Sequence, residues 1–262
     1  MTTMGDARVA LVMAGTQGLG RGCAEALLSA GFRVAICARR QDGVESAVLE
    51  LREAGGDVVG RAADVSRPDE LNPVFELVDE TYGRLDVLVA NAGGPKPGAF
   101  LALGDDDWHA GFELTLMSAV RSIRAAIPRM VANGYGRVVV LGSSSARVPI
   151  PNLALSNAFR PALVGVVKTL AVELAPEGIT INMVCPGRID TQRVRDLDES
   201  RALREGVSPD IVRANSERAI PMGHYGAPSD VGGLAAFLAS EQAGYITGQC
   251  ILVDGGMVQA LP

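Results

Sequence analysis

The sequence predicts an α/β fold, a doubly wound parallel sheet with helices on both faces. Three observations carry that prediction. Apolar, β-branched runs of strand length alternate with segments of helical period. The runs lack polar alternation, as strands buried on both faces do. Small-residue or glycine-rich turns follow several of them, at the strand ends where open parallel sheets form their ligand crevice.

The whole chain bounds the function classes. Its 262 residues suit one domain, 1–262, and 48% hydrophobic with 21% charged residues suits a substantial core. A net charge of −6 without a Lys/Arg run excludes a general nucleic-acid partner. No run reaches the ~20 apolar residues of a membrane span, so no membrane partner is expected. Cys23, Cys37, Cys185 and Cys250 are scattered, with neither metal-site spacing nor a disulfide framework. Residues 1–6 carry no charged-then-apolar pattern, and a cytoplasmic protein with a small-molecule substrate and no metal is expected.

Taken in order, residues 8–13 form a strand, followed by Ala14-Gly15-Thr-Gln-Gly18-Leu19-Gly20 and a helix ending at Gly31. Strand, glycine turn and helix are the context of a dinucleotide site, where the backbone approaches a pyrophosphate at a helix N-terminus. A helix start with no ligand fits the same residues. Residues 32–38 form the second strand, ending in Ala38-Arg39-Arg40. An acidic residue there would hold ribose hydroxyls, whereas a small residue followed by Arg takes a 2′-phosphate. Arg39 therefore points to NADP(H) over NAD(H), the alternatives being solvated charges and no cofactor at all. A helix over 42–54 and a strand over 57–62 lead to Asp64-Val65, where Asp64 either meets a ligand or caps a helix opening at Pro68.

The fourth strand, 85–90, precedes Asn91-Ala92-Gly93 and a loop, Gly94-Pro-Lys-Pro-Gly98, in which Lys96 is the only fixed cation expected. One long helical region covers about 105–131. A buried strand over 136–142 ends at Ser143, Ser144 and Ser145, and a helix opens at Ser156-Asn-Ala-Phe-Arg160. Pro176-Glu-Gly178 stops that helix, 179–184 is another strand, and Pro186-Gly187-Arg-Ile189-Asp-Thr191 closes the unit. Two hydroxyls and a guanidinium thus arrive at one sheet edge. The stretch 192–218 is polar with charges of both signs, as a solvated helical pair would be.

The segment 136–191 resembles the active-site half of the short-chain dehydrogenase/reductase family, whose pattern is a strand-end Ser, Tyr-x-x-x-Lys on a helix, and Pro-Gly-x-Ile-x-Thr. Ser143 occupies the Ser position, Ser156 the Tyr position and Arg160 the Lys position, and the run from Ala162 to Pro176 fixes the register. Phe237-Leu-Ala-Ser, Tyr245-Ile-Thr-Gly-Gln and Val253-Asp-Gly-Gly256 extend the resemblance, which covers about residues 8–256. It implies a Rossmann-type sheet of seven strands in the order 3-2-1-4-5-6-7, with a variable substrate lid at about 192–218. It implies a cofactor site of Ala14, Gly15, Gly18, Leu19, Gly20, Arg39, Asp64, Val65, Asn91, Gly93, Arg160, Pro186, Gly187, Ile189 and Thr191. Helices around 105–131 and 152–175 would pair between subunits in a homodimer or homotetramer.

The departures are specific. Ala14 stands at the family's first glycine, and alignment on Trp108 places the family's catalytic Asn at Thr115. The tetrad therefore reads Thr115, Ser143, Ser156, Arg160. An aliphatic hydroxyl at Ser156 is a far weaker acid than a phenol, and a guanidinium does not shuttle protons as an ammonium does. A divergent branch resembling β-ketoacyl carrier-protein reductases shares these departures. The first reading is an NADP(H)-dependent oxidoreductase of a ketoacyl-like substrate, with His224 and Tyr225 as the nearby acids. The others are a non-redox enzyme (dehydratase, isomerase or cyclase) with Arg160 and Ser143 as an oxyanion site, and a cofactor-binding pseudoenzyme.

Overall fold

The seven strands, all parallel, are β1 (Val9–Val12), β2 (Arg33–Ala38), β3 (Val58–Ala62), β4 (Val87–Ala90), β5 (Gly136–Leu141), β6 (Ile179–Pro186) and β7 (Cys250–Val253). Their order in the sheet is β3-β2-β1-β4-β5-β6-β7, as the resemblance implies. This computed structural model describes residues 7–260, and the expectation about residues 1–6 lies outside them. The helices are α1 (Gly18–Ser29), α2 (Gln41–Glu53), α3 (Pro68–Tyr82), α4 (Asp105–Phe112), α5 (Ser118–Asn133), α6 (Ala154–Leu174), α7 (Gln192–Glu205), α8 (Pro209–Arg218) and α9 (Pro228–Ala239).

Side chains alternate across a strand, so each strand feeds two cores. Val9, Leu11 and Met13 join Leu88, Val138, Val140 and Ile181 on the face covered by α3, α5 and α6. Ala10 and Val12 join Val34, Ile36, Val89, Val139 and Val184 on the face covered by α1, α2 and α9. Because both faces are covered, the strands carry no polar alternation. The second face is the tighter: an added Cβ at Gly232 would lie 2.2 Å from the Gly22 carbonyl oxygen, so α1 and α9 cross backbone to backbone. At the opposite edge from the crevice, buried Asp86 accepts from the Val9 amide at 2.8 Å and from Arg84, tying β4 to β1.

Two boundaries differ from the sequence reading. The region expected as one helix over 105–131 is two helices joined by a π-helical turn, Glu113–Met117. Helix α6 starts at Ala154, two residues before Ser156. Among the described residues no helix is long and apolar enough to cross a membrane, and no group of His, Cys, Asp and Glu is placed to hold a metal.

Three cysteines lie in these cores. Burial pushes Cys23 up to about 12, and Cys37 and Cys185 up to about 11, from an ordinary value of 9.0. A thiol whose folded pKa is raised keeps its proton longer in the folded state. Its contribution is intact below pH 9 and is lost as pH rises towards 11 or 12. The free energy of urea unfolding is therefore expected to be flat across pH 7–8.5. Between pH 9 and 10 it should fall, by up to about 1.4 kcal/mol per pH unit for each thiol. A Cys37→Ala variant should show a shallower fall.

Candidate active site

The crevice lies where the C-terminal ends of β1, β4, β5 and β6 meet. At β1 the chain turns through Ala14, which holds a left-handed φ of 47°, and Gly18, at φ 55°. A non-glycine residue in that region costs roughly 1–2 kcal/mol, so Ala14 keeps the turn that glycine would make and carries strain in doing so. Gly15 is hydrogen-bonded through its amide to the Cys37 carbonyl at 2.9 Å, which pins the turn to β2. Gly20 admits no side chain, since an added Cβ would lie 2.1 Å from the Ala14 oxygen. Leu19 packs beside the α1/α2/α9 core. Helix α1 thus opens on bare backbone facing the crevice, the arrangement that receives a pyrophosphate.

The neighbouring positions converge on this turn. Asn91, just past β4, donates from Nδ2 to the Met13 and Ala14 carbonyls at 3.1 and 3.3 Å. Gly93 is open on its side-chain side. Arg39 is exposed past β2 and, among the described residues, has no carboxylate partner, whereas Arg40 is paired with Asp42. Asp64 does not cap α3. Its Oδ1 accepts from the Ser66 amide at 3.0 Å and hydroxyl at 2.7 Å, and Val65 is buried beside it. Past β6, the Gly187 amide donates to the Val253 carbonyl at 2.9 Å, and Ile189 is buried. Pro186 ends β6, and Thr191 caps α7 with its methyl against Gly18.

Of the four tetrad positions, Thr115 and Arg160 line one cleft, while Ser143 and Ser156 each bond to Ser145. Ser143 Oγ accepts from the Ser145 amide at 3.1 Å, which leaves its own proton free. Ser156 is paired with Ser145, Oγ to Oγ at 2.9 Å, and both are buried. The hydroxyl at the Tyr position is therefore a link between the 3-10 turn Ser144–Ala146 and α6, and Ser145 is a partner the sequence reading missed. Arg160 lies at 8% exposure, its Nη1 donating to the Leu141 carbonyl at 2.5 Å and its Nε without a partner. Thr115, placed by the π-turn, is 2% exposed, and its Oγ1 is also without a partner. These two orphaned groups line one small cleft with Asn91, Ala92 and Ser118. Helical irregularities of this kind recur at functional sites because they re-aim a side chain.

Burial pulls Arg160 down to about 10, Cys185 opposes the shift, and the charge of Arg193 adds to it. Arg193, on α7, donates from Nη2 to the Pro95 carbonyl at 2.6 Å. Lys96 is thus not the only cation at this loop, and it is itself paired with Asp107 at 2.8 Å. The stretch expected as a lid, 192–218, is two helices, α7 and α8, as its polarity suggested. Buried Asp198 anchors it, accepting from Arg188 and from the Tyr225 hydroxyl at 2.8 Å. Burial raises the Tyr225 pKa, and its proton is committed to Asp198, so it is not a free acid. His224 is exposed, its Nδ1 at 2.9 Å from the Tyr225 carbonyl.

The chain is similar to known reductases over almost its whole length. A family model described as enoyl-(acyl carrier protein) reductase matches residues 13–258. The 3-oxoacyl-[acyl-carrier-protein] reductase FabG of Escherichia coli is 31% identical over 252 residues, covering 96% of this chain and 98% of that protein. Dehydrogenase/reductase SDR family member 4 of Homo sapiens is 32% identical over 250 residues, covering 95% and 87%. Among solved structures, a variant of actinorhodin polyketide ketoreductase with NADPH superposes with a TM-score of 0.95 at 35% identity, covering 99% of this chain and 100% of that one. The L-sorbose reductase of Gluconobacter frateurii, complexed with NADPH and L-sorbose, gives 0.92 at 30% identity, covering 97% and 98%.

A buried cation without an anion is costly to fold around. Replacing Arg160 by Met should therefore stabilise the protein by about 1–4 kcal/mol in urea unfolding. A loss of stability instead would mean that the bond to Leu141 outweighs the cost of burying the charge.

Proposed function

The chain belongs to the short-chain dehydrogenase/reductase family, and from that premise we propose that it is an NADP(H)-dependent oxidoreductase of ketoacyl-like carbonyl substrates. The observation that carries the reading is the cradle at the first turn. Gly20 excludes any side chain beneath Ala14, α1 opens on bare backbone, and exposed Arg39, one strand away, has no carboxylate partner among the described residues. These groups fit a dinucleotide with a 2′-phosphate: backbone amides at Gly18–Gly20 for the pyrophosphate, and the Arg39 guanidinium for the phosphate. NADPH and L-sorbose reductase or polyketide ketoreductase occur together in structures of the same fold at 30–35% identity, which supports the choice of cofactor.

When bound, the cofactor supplies a hydride from its nicotinamide to a carbonyl carbon. The chain's own contribution is electrostatic. Ser143 has a free hydroxyl proton with which to polarise a carbonyl oxygen, and Arg160 stays protonated well above neutral pH and favours the developing alkoxide. Ser156 is held by Ser145 and donates no proton at neutral pH, so solvent water supplies it. General acid catalysis is typically worth ~10²–10⁴-fold, so such an enzyme is slower than a relative with an intact tetrad but retains turnover. Exposed Phe112, Val131 and Val172, on the outward sides of α4, α5 and α6, support a homo-oligomer built on those helices.

Two outcomes test this reading. The NADPH dissociation constant should rise about 10–100-fold in Arg39→Ala, as loss of a charge-assisted contact does, with NADH binding unchanged. NADPH consumption should be seen with one or more members of a panel of ketones and ketoacyl thioesters, and a Ser156→Tyr, Arg160→Lys double variant should raise the rate. Silence across the panel in both proteins would overturn the oxidoreductase assignment.

A further inference from the structure

Helices α7 and α8 are tied mainly to their own neighbourhood. Arg188 and the Tyr225 hydroxyl hold Asp198, Arg195 and Arg213 hold Asp190, and Arg201 holds Glu205. All of these bonds stay within residues 188–225. Apolar burial adds little, since the buried residues are Asp198 and Ala202 in α7, and Val212 and Ser216 in α8. Among the described residues, one hydrogen bond leaves this pair of helices for a distant part of the chain. Arg193 donates from Nη2 to the Pro95 carbonyl at 2.6 Å.

The sheet order places that bond. Pro95 lies in the loop after β4, α7 follows β6, and β5 is the strand between them. The bond therefore joins the two segments that flank the end of β5, where Ser143 stands. Gly94 makes room for it: an added Cβ there would lie 2.8 Å from Arg193 Nε and 3.0 Å from Nη2. The acceptor is a neutral carbonyl, whereas Arg188, Arg195, Arg201 and Arg213 are paired with carboxylates. Units with few buried apolar contacts open at the low end of a protein's stability range. Here one side chain opposes that opening on the β4 side.

We propose that α7 and α8 move as one flap, that the bond from Arg193 to Pro95 is its latch, and that a substrate reaches Ser143 through the open form. A hydrogen bond from a charged donor shifts an equilibrium by about 10–100-fold, which holds the open form to roughly 1–10% of molecules. Apparent substrate affinity falls by that same fraction. Arg193 is then a positioning residue, acting on turnover by setting how often the crevice opens. The access step rests on the reductase reading above; the latch does not.

Backbone hydrogen exchange is compared by mass spectrometry in the parent, Arg193→Ala, Gly94→Ala and the double variant. The methyl added by Gly94→Ala displaces the guanidinium without removing it. Unfolding of α7 and α8 has to break the latch, so each single change should speed exchange of their amides about 10–100-fold and leave β1, β4 and β5 unchanged. Both changes remove one contact, so the double variant should match the single ones. Unchanged exchange in either single variant, effects that multiply in the double variant, or faster exchange throughout the sheet overturns the latch. Steady-state rates with a ketone that the parent reduces then test access. KM should fall about 10–100-fold in both single variants, with kcat held within about twofold. A KM that stays or rises overturns the access step, and a rise in Arg193→Ala alone would make Arg193 a substrate contact. If no ketone is reduced the reductase reading falls, and exchange alone upholds or overturns the latch.

Discussion

Parallel register is the constraint on which everything else depends. Each strand enters the sheet from the same side, so every strand end falls at one edge, and whatever the loops carry is delivered there. The two cores then fix the edge in space, because alternate side chains of β1, β4 and β5 are locked into opposite layers. Loops after β1, β2, β4, β5 and β6 gain positional precision from packing that lies well below them. The functional groups are thus supported by residues that never touch a ligand, such as Asp86 at the far end of β4.

Within that frame the electrostatics are unusual. Several arginines, Arg40 and Arg201 among them, sit at the surface in short pairs, each worth little to stability. Arg160 is buried and Arg193 half-buried, and both hydrogen-bond to main-chain carbonyls. A scaffold that buries charge without compensation stores a local instability, and its location at the ligand edge marks where binding energy is recovered. The π-turn at Glu113–Met117 belongs to the same account, since it turns the Thr115 hydroxyl towards the cleft rather than into the helix's own carbonyl ladder.

Much of this was legible in the sequence, and the limits have physical causes. Strands such as 136–141 and 179–186 announce themselves because burial on both faces demands uninterrupted apolar residues. Ala14 and Gly20 were readable because backbone geometry at a tight turn restricts residue type. The π-turn was not, because one extra residue in a helical turn leaves no mark on a pattern of period 3.6. Nor was the Ser145–Ser156 pair, where three consecutive serines offer equal chemistry and only the fold chooses among them. Arg193 meets Pro95 across 98 positions of sequence, and in a stretch rich in both charges nothing local distinguishes it from its neighbouring arginines.

Asn91 has one further consequence. Its amide joins the end of β4 to the Met13 and Ala14 carbonyls, and the same residue borders the Arg160 cleft. The clasp makes the two halves of the crevice a single mechanical unit, so a ligand that settles the glycine turn also settles the wall that meets the second ligand. Affinities joined through such a hinge are reciprocal by thermodynamic necessity. Two ligands placed either side of the clasp would therefore change each other's affinity by the same factor, whichever arrived first.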